Sequence, residues 1–517
     1  MRRTAVEGPR TDLSEPDDPG QYRDEVLGVS GDGGLNLVGA AFNNAMRFAI
    51  TFLLARLLGS DGVGLYFQAL AFLAVLDLLS LSGFRGALTR FVAVHRADHD
   101  PGSLRGTLHL GLAISIGAAA VLGAALFALA PVLAQSAFHD PRLTVPLRLV
   151  AVALPPTVFT DAALAATVGF KTMRGYVLIG LVFEPAFRIL LTVALLAAGR
   201  GLEGAMEALV VTNVIAAILA GLALRRLVGP PTAPAQYQWR ELFAFSTVSW
   251  VAKLASIGLL WVDTILLGLY RSASEVGVYH VATRVVLMTT ILMQPLNTAF
   301  APRIAELYWR GQRESLNRMY HVVTGWILRL ALPAFVTLIV FPRELLSIFG
   351  RDFQAGATVT VLLAVGQLFD VATGPCGSML VMSGRPRLTM IGNIAGLGLN
   401  VGLNLWLIPR YGIVGAGVAW AVSLVVVNVT RVVLVWLTMR MVPFDRDLAK
   451  ALAATVGALA VALAVRHAAE GLVALGVGVA ALGVVYVGVV VALGISTEDR
   501  LVLGTLKSRL RLSLRSA

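Results

Sequence analysis

Apolar runs of about twenty residues recur along nearly the whole chain, separated by short polar links. A helix of that length crosses the hydrocarbon core of a bilayer and makes all its backbone hydrogen bonds internally. The pattern predicts an all-α polytopic membrane protein with about fourteen transmembrane helices. They fall at 33–57, 62–83, 107–134, 146–170, 175–199, 203–224, 242–269, 275–300, 319–341, 355–382, 388–408, 412–438, 447–465 and 470–494. No link between them is long enough for a soluble domain. Residues 1–30 are polar, acidic and rich in Pro and Gly, which predicts a disordered tail. Arg2-Arg3 is not followed by the apolar segment a twin-arginine signal needs.

The apolar pattern repeats. "ITFLLARLLGSDGVGLYFQA" (Ile50–Ala69) aligns without a gap on "DTILLGLYRSASEVGVYHVA" (Asp263–Ala282) at an offset of 213 residues. "GLEGAMEALVVT" (Gly201–Thr212) aligns on "GIVGAGVAWAVS" (Gly412–Ser423) at an offset of 211. The first match pairs helices 1–2 with 7–8, and the second pairs helices 5–6 with 11–12. Two six-helix bundles follow, 31–228 and 229–440, with a C-terminal helix pair at 441–496 and a basic tail at 497–517. An even helix number per bundle gives both halves one orientation, related by a pseudo-twofold axis along the membrane normal. Small residues at the matched turns (Gly64, Gly204, Gly277, Gly415, Gly417) allow close approach of helix backbones in lipid. Two such bundles can rock about a central cavity, a layout for alternating access.

Composition agrees with the pattern. Of 517 residues, 57% are hydrophobic and only 14% charged, and mean hydropathy is +0.79. The net charge of +12 would suggest nucleic acid in a soluble domain. Here the excess lies in links, on alternate sides, as positive-inside topology requires, and no basic patch carries stacking aromatics, so nucleic acid is excluded as a partner. One side holds the N-terminal tail, Arg85, Arg90, Arg96, Arg105, Lys171, Arg174, Arg225, Arg226, Arg240, Arg303–Arg318, Arg385, Arg387, Arg440–Lys450 and the C-terminal tail. The other holds only Arg142, Arg200, Arg271, Arg343, Arg351, Arg410 and Arg466. The bias predicts a multi-pass protein of the cytoplasmic membrane with both termini cytoplasmic. The C-terminal tail "LKSRLRLSLRS" reads equally as a solvated basic tail or as one lying on the anionic inner leaflet. The single cysteine, Cys376, excludes an intrachain disulfide and a Cys-rich metal site.

The motifs resemble the polysaccharide-transporter branch of the multidrug/oligosaccharidyl-lipid/polysaccharide exporter superfamily. The resemblance runs from about Gly31 to Gly494. It is carried by "LLARLLGSDGVGLYFQAL", "LSGFRGALTRFVA" (Leu81–Ala93), "DTILLGLYRSASEVGVYHVATRV" and "MSGRPRLTMIGNIAGLGLNVGLNLWLIPRYGIVGAGVAWAVS" (Met382–Ser423). It implies a fourteen-helix flippase that moves lipid-linked oligosaccharide, on a polyprenyl diphosphate, to the outer leaflet for surface polysaccharide assembly. Partners so implied are the lipid-linked glycan, membrane lipids, H⁺ or Na⁺, and glycan polymerase or assembly proteins. The alternative within the superfamily is a cation-coupled multidrug antiporter, which calls for an acidic cavity.

Charges deep in the membrane usually face a cavity. Arg47 with Asn43 at i, i+4, Lys253 and Arg284 lie on helices where the two halves should meet, and are candidates to hold the diphosphate. Asp161, Asp263 and Asp370 are candidates for ion coupling. Arg431 is another deep charge. Glu184 and Arg188 are spaced to pair with each other, and Asp77 lies within reach of the Arg85/Arg90 link. Glu203 and Glu207 suit a helix N-terminus. Pro155-Pro156, Pro185, Pro295, Pro333 and Pro375 are kink positions. No Walker loop, GxSxG, HExxH, CxxC or dinucleotide fingerprint occurs in a fitting context, and the seven histidines do not cluster at metal spacing. The expectation is a transporter without cofactor, metal or catalytic residues. External links as short as these leave no room for the chemistry of a membrane glycan polymerase.

Overall fold

A computed structural model of the chain describes residues 19–230, 233–290, 293–444 and 446–492. The regular elements among them are helices. They are α1 (Pro19–Leu81), α2 (Phe84–Ala97), α3 (Pro101–Val132), α4 (Thr144–Gly169), α5 (Glu184–Ala197) and α6 (Gly201–Val228). Then come α7 (Trp239–Tyr270), α8 (Ala273–Leu287), α9 (Met293–Trp309), α10 (Arg313–Val340), α11 (Pro342–Ser347) and α12 (Ala357–Ala372). The chain continues with α13 (Cys376–Met382), α14 (Pro386–Met439), α15 (Arg446–Ala468) and α16 (Gly471–Ala492). Among the described residues, ten helical stretches are long and apolar enough to cross a membrane. Two of them, α1 and α14, contain a non-helical residue, Gly59 (φ 68°) and Gly412 (φ 58°), where two helices meet. Only glycine enters that backbone region without cost.

Apolar side chains point outward as well as inward. Val121 on α3 and Val484 on α16 are 69% and 74% exposed. Such surface is costly in water and unremarkable against lipid.

The second half of α1 packs along α8, which brings the two matched sequence stretches, Ile50–Ala69 and Asp263–Ala282, side by side. Val63, Tyr66, Val276 and Tyr279 are buried there. Gly64 meets the Ala273 carbonyl so closely that a β-carbon would lie 1.7 Å from its oxygen, and one on Gly277 would lie 2.1 Å from the Ser60 oxygen. The two contacts exchange roles at the offset of the repeat, Gly64 for Gly277 and Ser60 for Ala273. Ser60 Oγ and Ser274 Oγ hydrogen-bond across the seam at 2.7 Å. The turn into α8 is fixed by a capping box of Ser272 and Glu275, which satisfies donors the helix start leaves open. At the opposite, arginine-rich end, Phe84 and Ala87 of α2 pack on Leu242 of α7.

Several details differ from the sequence expectation. α1 begins at Pro19, so residues 19–30, expected in the disordered tail, are helical: adding a turn to an established helix is easy. Residues 1–18 and the basic tail 497–517 lie outside the described residues. The link after Leu81 is not irregular. Gly83 turns the chain at φ 81°, and α2 follows as an amphipathic helix with Phe84, Leu88 and Val92 buried. The expected span 355–382 is divided into α12 and α13 at Gly374-Pro375, where Gly374 has φ 61°. The start of the expected fifth span, Tyr176–Phe183, is π-helical.

Candidate functional site

A cavity of about 290 Å³ lies where α1, α4, α5 and α6 face α7 and α8. α1 contributes Asn43, Arg47, Tyr66, Phe67 and Asp77, and α5 contributes Glu184 and Arg188. Thr157 and Asn213 come from α4 and α6, and α7 and α8 supply Trp261 and Arg284. Three of the four residues expected to hold the diphosphate, Asn43, Arg47 and Arg284, therefore share one cavity.

Part of the cavity wall is already paired. Arg188 Nη2 donates to Glu184 Oε1 at 2.5 Å and to Asn213 Oδ1 at 3.2 Å. Asn213 Nδ2 donates to Thr157 Oγ1 at 2.7 Å. Glu184 and Arg188 thus neutralise each other, as their spacing suggested, but they do so on the cavity surface. Arg47 Nε donates only a long bond, 3.4 Å, to Asn43 Oδ1. Arg284 Nε is buried without a partner, as is Asp77 Oδ1. Asp77 does not pair with Arg85. Arg85 Nη1 instead donates to Asp161 Oδ2 at 3.2 Å, because the turn at Gly83 directs this face of α2 toward α4. Two cations without a carboxylate partner among the described residues therefore face one unpaired carboxylate. That imbalance suits an anionic group with several acceptor oxygens.

The cavity is roofed by rings. Phe67 stacks on His280 with centroids 3.5 Å apart and planes at 16°, and Trp261 lies 6.1 Å from the same imidazole. His280 is buried in this seam and its Nε2 has no hydrogen-bond partner.

The other sequence candidates are elsewhere. Lys253 is exposed on α7 and does not line the cavity. It precedes Trp261 by about 12 Å of helix rise. Asp161 is held by Arg85 at the arginine-rich end. Asp263 is buried on α7, where it accepts from Tyr279 Oη at 2.8 Å and Asn404 Nδ2 at 2.6 Å. Asn404 also donates to Asn400 Oδ1 at 3.0 Å, and Asn400 Nδ2 and Asn404 Oδ1 have no further partner. Asp370 accepts from Gln367 Nε2 at 2.8 Å. Arg431 donates to Asn428 and Asn393. No group of three or more potential metal ligands is present among the described residues. The sequence reading missed Tyr66, Trp261, Thr157 and Asn213. Neutral and aromatic residues in apolar helices carry no signal of facing a cavity.

Comparison with known proteins places this geometry in context. The sequence profile of polysaccharide biosynthesis proteins matches residues 32–308, and that of the MatE family matches residues 250–406. A Haloferax volcanii protein, provisionally named a low-salt glycan biosynthesis flippase, is 28% identical over 188 residues, 36% of this chain and 40% of its own. The match thus spans less than half of that relative. A Shigella flexneri protein, provisionally named an O-antigen transporter, is 22% identical over 428 residues, 78% of this chain and 96% of its own. Among solved structures, the lipid II flippase MurJ in an inward closed conformation superposes with a TM-score of 0.71. It is 12% identical and covers 87% of this chain and 97% of its own, a likeness of fold.

Proposed function

We propose a transport function for this chain, which belongs to the polysaccharide biosynthesis protein family. It moves a lipid-linked oligosaccharide across the cytoplasmic membrane by alternating access between two six-helix bundles. The observation that carries this reading is the pair Arg47 and Arg284. They stand in one cavity, on different repeats, without carboxylate partners among the described residues. A polyprenyl diphosphate offers the anionic oxygens such a pair recognises. A volume of about 290 Å³ accommodates a diphosphate and the adjoining sugar, not a whole oligosaccharide, so the glycan extends beyond it. Tyr66, Phe67 and Trp261 present apolar faces for a sugar ring.

The reciprocal contact of Gly64 and Gly277 supports the fourteen-span, two-bundle layout with its extra C-terminal pair. The distribution of Arg and Lys supports cytoplasmic termini. Asp263 is the favoured site of H⁺ or Na⁺ coupling, because it is buried with two asparagines that have unused polar atoms. Asp161 is engaged by an arginine and Asp370 by a glutamine.

A multidrug antiporter is the second reading, favoured by Asp77, the unpaired carboxylate in the cavity. One experiment separates them: in a strain lacking the gene, surface polysaccharide, lipid-linked glycan and sensitivity to cationic dyes are measured together. The flippase reading predicts less polymer with accumulated lipid-linked units. Unchanged glycans with dye sensitivity would establish the antiporter instead.

A further inference from the structure

A second cavity, of about 220 Å³, opens between α3, α4 and α6 at the arginine-rich end of the first bundle. Its floor is apolar: Leu108 and Leu224 are buried and Phe159 is half-buried. Arg105, His109 and Arg225 stand at its mouth, and no carboxylate lines it. Gly221 forms one wall. A β-carbon there would already lie 3.3 Å from the Phe159 ring, so the small residue keeps the cleft open. The cleft borders the lipid-facing stripe of α6, where Val214, Ile218 and Leu222 are 42%, 58% and 47% exposed.

We infer that this cleft binds an anionic phospholipid of the leaflet it faces. A ligand that satisfies both halves of the site must carry a negative head and an apolar tail. The phosphate meets Arg105 and Arg225, whose guanidinium groups suit its oxygens, and an acyl chain follows Phe159 onto α6. Basic clefts between helices at the cytoplasmic end of a membrane protein attract such head groups. Arg225 has no carboxylate partner among the described residues. Arg105 donates through Nη1 to the Ala233 carbonyl at 2.8 Å, and its remaining donors are available. The same stretch of α3 holds the connector between the bundles, through Gln236 N to Gly102 O at 2.9 Å and Gln238 Nε2 to Ser103 Oγ at 3.0 Å. A lipid bound at Arg105 therefore sits beside the strap that links the two moving halves.

The test is native mass spectrometry of the purified full chain in detergent, titrated with phosphatidylglycerol against phosphatidylcholine. Wild type retains phosphatidylglycerol preferentially. Each arginine contributes roughly fivefold, so Arg105→Gln with Arg225→Gln weakens retention about twenty-fivefold. Gly221→Leu weakens it by filling the cleft without a change of charge. Should the double variant lose its monodisperse elution, Arg225→Gln alone, at an exposed position, still predicts a fivefold loss. Equal retention of both lipids by wild type, or of phosphatidylglycerol by wild type and Arg225→Gln, overturns the inference. So does a polyprenyl phosphate that displaces phosphatidylglycerol at equal concentration. Because binding is read without transport, the outcome is independent of the flippase reading.

Discussion

At the scale of residues, the cavity divides its charges by whether they are already satisfied. Glu184 and Arg188 share a short bond, and Asn213 and Thr157 hold the arginine in place. These groups build the wall. Arg47 and Arg284 lack such support, and in the proposed function they meet the ligand. Replacement of either by glutamine removes a charge-assisted bond of about 1.5–3 kcal/mol, a ten- to hundredfold loss of transport. The melting temperature of the purified protein should not change. Glu184→Ala behaves oppositely: it leaves Arg188 without its counter-ion and lowers stability by about 1–3 kcal/mol, read as a lowered melting temperature in detergent. Arg47 and Arg284 were legible as cavity residues because a charge inside an apolar run usually faces a cavity, and Asn43 only through its i, i+4 spacing to Arg47. Lys253 had the same signature and lies outside the cavity. Sequence depth does not say which face of a helix meets the partner bundle. Asp77 and Asp161 illustrate the same limit, since the partner of Arg85 depended on the turn at Gly83.

At the scale of elements, the duplicated hairpin carries the mechanics. Gly64 and Gly277 bring the second half of α1 and α8 into backbone contact, a seam that must part if substrate leaves on that side. Any side chain at Gly64 collides with the Ala273 carbonyl. Gly64→Val should therefore hold the seam open and reduce transport more than tenfold. A cysteine pair at Ser60 and Ser274 reports this directly. Their side-chain oxygens are 2.7 Å apart, within disulfide reach, and the native Cys376 is buried. Oxidation should cross-link the pair in the parent and fail in the Gly64→Val background. Equal cross-linking in both would contradict the role given to the seam. The hairpin was legible because it is written twice. α2 was not, since its short amphipathic period lies within what hydropathy marks as a link. The break at Gly374-Pro375 was marked by its proline, whereas the π-helical turns of Tyr176–Phe183 have no comparable signature.

At the scale of the whole molecule, the account needs two bundles that close alternately around one cationic cavity. The apolar spans were visible in sequence because lipid constrains every turn of helix. The cavity was only half visible, because its aromatic residues Tyr66, Phe67 and Trp261 come from distant stretches of the chain. The most direct measurement is flipping in proteoliposomes. Purified protein is reconstituted with a short polyprenyl-diphosphate-linked saccharide, and outward movement is followed by oxidation of the sugar with a membrane-impermeant reagent. The account predicts that wild-type protein exposes the inner-leaflet pool and that Arg47→Gln and Arg284→Gln do so at least tenfold more slowly. Exposure at the rate of protein-free vesicles, or equal rates in wild type and both variants, would contradict it.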